Sequence, residues 1–131
     1  MTVKEFNDLS LDLMRLEIKC HEQVQEVLDE YKDTEFWKRL YISAGSDSNH
    51  YYSIGYVGNY GIPNGNRIIF HPIDGAKESF VYYYMDMDAG ERGQRYEDLL
   101  QEIIKKINRA TALVRFRIKK TMEESPDLTL R

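Results

Sequence analysis

Two histidines, His50 and His71, stand where hairpin pairing would bring them together, and acid–base work is the chemistry such a pair can do. With Tyr51, Tyr83, Arg67 and Asp86 as neighbours, one imidazole would accept a proton while the other donates one, as in a small ribonuclease. That chemistry needs an imidazole within about 3 Å of its target proton and a pKa near the working pH. No stretch of the chain sets a nucleophile beside a base. The chain is therefore expected not to be an enzyme, and no catalytic residue is assigned.

Other chemistry-bearing patterns are weaker. Asp86-x-Asp88 with Glu91 looks like half of a calcium or magnesium loop but lacks the full spacing, and acids ahead of a helix commonly cap it. Gly55-x-x-Gly58-x-x-Gly61 neither follows a parallel-strand pattern nor opens a helix, so it reads as strand end and turn. Cys20 is the single cysteine, which excludes an internal disulfide. It sits in an apolar helical stripe with no basic cluster to favour the thiolate, as a small buried hydrophobe would. No metal and no cofactor is expected.

Aromatic and basic residues are the better leads. Of the 10 tyrosines, Tyr41, Tyr51, Tyr52, Tyr82, Tyr83 and Tyr84 fall in predicted strands. Strand side chains alternate between faces, so the triple tyrosine cannot lie wholly beneath one layer of helices. Sheets favour tyrosine for packing reasons alone. Its large area, few rotors and polar tip nevertheless make these six a candidate partner-binding surface. Toward the C-terminus run Lys105, Lys106, Arg109, Arg115, Arg117, Lys119 and Lys120. The first five are candidate nucleic-acid contacts, able to track phosphates. The preferred reading sets the run against the acidic Asp8, Asp12, Glu22, Glu26, Asp29 and Glu30, since segregated charge also fixes antiparallel helix pairing.

The elements that must position these residues follow from periodicity. Phe6, Leu9, Leu13, Leu16, Cys20, Val24, Val27 and Tyr31 recur at helical spacing, with Leu11, Met14 and Ile18 as a second stripe. A helix over about 3–32 would be roughly 40 Å long, more than a domain of this size comfortably spans. Either it breaks near 7–10 or part of its face meets another chain. Phe36 and Trp37 follow as core anchors. Leu40, Ile42 and Ala44, then Tyr52, Ile54 and Tyr56, then 67–73 and 79–85, read as strands. Gly45 to Asn49, Ile62 to Asn66 and Asp74-Gly75 read as their turns, connections short enough to favour an antiparallel meander. A second helix over about 93–124 carries Tyr96, Leu100, Ile103, Ile107, Ala110, Val114 and Ile118, flanked by Leu99, Ile104 and Leu113. Residues 113–119 also alternate as an edge strand would, though helix is preferred. Ser125-Pro126 should end it and leave 125–131 as a loose tail.

The expected fold is thus α+β in a single domain: long N-terminal helix, antiparallel meander of about four strands over 38–86, long C-terminal helix. Residues 1–35 hold ten acids and four bases, and residues 91–131 hold seven and ten. The net charge of −4 gives no global attraction to nucleic acid or anionic membrane. No apolar run approaches a membrane span, and neither a signal sequence nor a glycosylation acceptor is visible, so a cytoplasmic protein is expected. The two-sided stripe and helix length predict a homodimer through Leu9, Leu13, Leu16, Val24, Val27, Ile103 and Ile107. The expected function is protein binding through the tyrosines, with nucleic-acid binding and the His50–His71 ribonuclease as alternatives. In style alone the chain resembles the small accessory proteins of phages and mobile elements. That resemblance implies a stoichiometric inhibitor of a larger host or defence protein.

Overall fold

The computed structural model describes residues 1–34, 40–44, 52–57, 63–81 and 91–130, and in strands and helices some of these by backbone alone. Helix α1 (Val3–Asp29) opens on Thr2, whose hydroxyl accepts the Glu5 amide at 3.1 Å, one of the bonds a helix start otherwise lacks. It runs unbroken, so the break considered near 7–10 does not occur. Leu13, Cys20, Val24, Val27 and Leu28 are buried along one face. Helix α2 (Glu91–Glu124) has 34 residues and is about 51 Å long. Its helical state extends through 113–119, which settles the strand ambiguity.

The helices run antiparallel. Glu30 meets Lys106 at one end, while Leu16 shares a groove with Arg117 and Lys120 further along. α2 covers most of the Leu13–Val27 stripe of α1 within one chain, while Leu11 and Ile18 of the second stripe stay 40% and 51% exposed. Beyond α2 the chain turns, with the Leu128 amide donating to the Ser125 carbonyl at 3.0 Å. Ser125 and Leu128 are both buried, and Leu128 borders a cleft with Phe6, Ser10 and Leu13. The tail expected to be loose is docked on α1, since Leu128 covers the part of the stripe that lies past the end of α2.

Strands β1 (Leu40–Ala44), β2 (Tyr52–Val57), β3 (Pro63–His71) and β4 (Gly75–Val81) form one antiparallel sheet in the order β1-β2-β3-β4. The α+β class and the meander therefore stand. Ile54 pairs with Ile68, and both are fully buried with Phe70. Asn64-Gly65 corrects the turn reading: Asn64 pairs with Tyr56 and Gly65 with Val81, so both are strand. Partners on either side outweigh the local turn preference of this pair. The β2–β3 connection at 58–62 and the predicted turn at 45–49 lie outside the described residues, as do Phe36 and Trp37.

Asp74-Gly75 is a true turn, with Gly75 at φ +81°. A Cβ there would sit 2.6 Å from Asn108 Oδ1 and 3.1 Å from the Arg115 guanidinium, so glycine serves both the left-handed backbone and the close approach of α2. Asn108 Oδ1 accepts the Ala76 amide at 2.7 Å, and its Nδ2 donates to the Ala76 carbonyl at 3.0 Å. One side chain thereby behaves as a strand neighbour to β4. Further up α2, Gln101 donates to Glu78 at 2.8 Å. The buried stripe of α2 is Leu100, Ile103, Ile107, Thr111, Val114 and Ile118. Ala110, expected in it, is exposed. Thr111 takes the place because its hydroxyl donates to the Ile107 carbonyl at 2.7 Å, which satisfies it inside the core.

Candidate functional site

On the outer face of the distal half of α2, large apolar side chains and bases adjoin, as they also do around Leu11, Arg15, Ile18 and Lys19 of α1. Leu113 is 61% exposed and Phe116 58%, three residues apart, opposite the stripe that faces the core. Lys120 places its ammonium 5.9 Å from the Phe116 ring centre. Arg109, Arg117 and Lys119 are exposed nearby on the same helix. An apolar pair rimmed by cations suits a partner that is acidic around an apolar centre.

The five bases proposed as a phosphate track divide between two roles. Lys105, Arg109 and Arg117 are exposed. Lys106 lies between Glu30 at 3.4 Å and Glu102 at 3.5 Å, with its ammonium 5.0 Å from the centre of the Tyr31 ring. Arg115 is turned inward: Nε donates to Thr111 Oγ1 at 3.0 Å and a terminal nitrogen to the Asn108 carbonyl at 3.1 Å. Two of the five therefore hold the fold together.

Of the tyrosines, Tyr41 and Tyr52 belong to β1 and β2, where Tyr41 pairs with Gly55 and Tyr52 with Ala44 and Phe70. Their side chains, and Tyr51, Tyr82, Tyr83 and Tyr84 altogether, lie outside the described residues. So do His50, Asp86 and Asp88. His71 is buried, and its Nδ1 accepts the Ile73 amide at 3.1 Å, closing the β3–β4 turn. That ring nitrogen works for the turn. Among the proposed dimer residues, Leu13, Val24, Val27, Ile103 and Ile107 are buried in the chain's own core, and Leu9 and Leu16 pack against it. The five buried residues therefore face the chain's own core, whereas Leu9 and Leu16 are half-buried and keep accessible surface. Sequence reading passed over Leu113 and Phe116 as working residues, although the helical wheel places Phe116 opposite Ile107 and Leu113 well off the core stripe. Among the described residues no group of three or more His, Cys, Asp or Glu is arranged to hold a metal. No helix among them is long and apolar enough to cross a membrane.

Compared with known families, curated proteins and solved structures, the chain matches none.

Burial raises two titrations and side-chain contacts a third. It pushes the Cys20 thiol from 9.0 to about 11 and raises the Tyr31 phenol above its ordinary value. Contact with Tyr31, and after it with Glu30, holds Lys106 charged up to about 12. Between about pH 9 and 11 the unfolded thiol has lost its proton while the folded one keeps it, so the unfolded chain binds fewer protons and stability falls. The Lys106 contribution is whole below 10.5 and is lost as pH rises through about 12, in the same direction. Urea unfolding should show a lower midpoint near pH 10 than near pH 8, with Cys20→Ala narrowing the gap. An unchanged midpoint would contradict these assignments.

Proposed function

We propose that this protein is a non-enzymatic protein-binding module that docks an acidic partner on the outer face of distal α2. The carrying observation is the exposure of Leu113 and Phe116 together, bordered by cations, on a helix whose stripe from Leu100 to Ile118 is buried in the core. Apolar anchors of this kind provide the desolvated centre of an interface, and the surrounding charges steer approach. Stoichiometric inhibition of a larger host or defence protein is the form of binding we favour. Tyr41, Tyr51, Tyr52, Tyr82, Tyr83 and Tyr84 remain a second candidate surface for the same activity.

Affinity capture with mass spectrometry tests this if three baits are compared. The native chain should retain one protein at raised salt, and Leu113→Ala with Phe116→Ala should weaken retention at least about tenfold, the loss of two apolar anchors. Both residues are exposed, so the fold should be unchanged by circular dichroism. Full retention by that variant, with loss on Tyr82→Ala and Tyr83→Ala, would move the site to the tyrosines. Retention of nucleic acid that declines steeply with salt would favour the rival reading through Lys105, Arg109 and Arg117.

A further inference from the structure

Charge is matched at one end of the helix pair and crowded at the other. Where Glu30 and Glu102 flank Lys106, opposite signs meet. Further along, Arg15 and Lys19 of α1 and Arg117 and Lys120 of α2 line a single groove of about 430 Å³. One acid, Asp12, lines it with them, and its contact with Arg15 is long, at 3.8 Å between side chains 62% and 68% exposed. Such a pair contributes little. Among the described residues, Lys19, Arg117 and Lys120 form no ion pair.

Like charges gathered from two helices repel, and the fold does not require them: α1 is otherwise rich in acids that would complement α2. The crowd makes sense once a counter-charge occupies the groove. Leu16 and the hydrocarbon stems of the bases give it an apolar floor beneath cationic heads. The groove is wide open to solvent, so a ligand there would be held by its charges more than by enclosure. Cations on both walls call for at least two anionic groups on one ligand. A long strand fits less well, because it would track bases along one helix, and on α2 that run is interrupted where Lys106 and Arg115 turn to protein partners.

We propose that this groove binds a small ligand carrying two or more phosphate groups, such as a nucleoside di- or triphosphate. The groove shares Arg117 and Lys120 with the rim of the outer α2 face, but its other wall, Arg15 and Lys19, belongs to α1, and the proposal does not depend on the protein-binding reading.

Titration calorimetry of the full chain with inorganic pyrophosphate and with adenosine triphosphate tests it. One saturable site per chain is expected. Lys19→Gln with Arg117→Gln should weaken binding at least about tenfold, because charge-assisted hydrogen bonds to phosphate are lost. Lys105→Gln with Lys119→Gln removes the same formal charge from exposed positions outside the groove and should change affinity less than about twofold. All four side chains are exposed, and circular dichroism confirms the fold of each variant. Lys120→Gln, in the same groove, supplies a third variant expected to follow the first. Absence of saturable binding by both probes, or equal weakening by the two double variants, would overturn the proposal. So would a single-stranded oligonucleotide that binds more tightly than the triphosphate and is weakened alike by both.

Discussion

Ile107→Ala is expected to destabilise the fold by about 2–5 kcal/mol, with an unfolding midpoint that does not shift with protein concentration. Ile107 is fully buried at the centre of the α2 stripe, against the core shared with α1 and the sheet. Removing its side chain loses transfer free energy and leaves a cavity that two long helices cannot collapse around. That is a large part of the roughly 5–15 kcal/mol a small domain has in total. Leu113→Ala, six residues along the same helix but mostly exposed, should stay within about 0.5 kcal/mol. Urea unfolding at two concentrations a hundredfold apart separates core from interface. A midpoint that rises with concentration in the native chain and not in Ile107→Ala would restore Ile107 to a contact between chains.

Asn108→Ala should cost a comparable amount by another route, about 2–5 kcal/mol. The change leaves both the amide and the carbonyl of Ala76 without their partner in a site where Ala76 is almost fully buried. An orphaned buried polar group costs about 1–3 kcal/mol, and here there are two. Gly75→Ala should disturb the same junction from the other side, because its Cβ would run into Asn108 Oδ1 and its backbone holds a left-handed angle. The local readout is hydrogen exchange at Ala76. Its amide should lose protection in Asn108→Ala while amides in mid-α1 keep theirs. Unchanged protection at Ala76 would show that the bond carries no weight.

Much of this architecture was legible because helical periodicity survives in one dimension. Leu13, Cys20, Val24 and Val27 are evenly spaced, and so are Ile103, Ile107, Val114 and Ile118; each set is core. Where reading by hydrophobicity failed, a hydrogen bond or a distant partner had intervened. Thr111 replaced Ala110 because its hydroxyl bonds within its own helix. Asn64-Gly65 became strand because β2 and β4 pair with it on both sides. Leu128 is a single apolar residue in a short polar stretch, too little for a period to show, and its burial depends on where α1 ends. The cationic groove was hidden for a similar reason. Arg15 and Lys120 meet only through the register of two helices separated by a whole sheet, which no local pattern encodes. Of the histidine pair, one ring nitrogen of His71 serves its turn, and His50 lies outside the described residues.

The Asn108 junction also governs how this sheet can grow. An edge strand offers unpaired amides and carbonyls to any extended segment that drifts past, which is both a hazard of aggregation and a mode of peptide capture. At β4 that template is interrupted, since Asn108 occupies the Ala76 groups and α2 lies against the strand. Among the described strands the other margin is β1, paired on one side only, with β2. Among the described residues, the margin open to a fifth strand is therefore Leu40–Ala44, opposite the helix that closes β4 at Ala76.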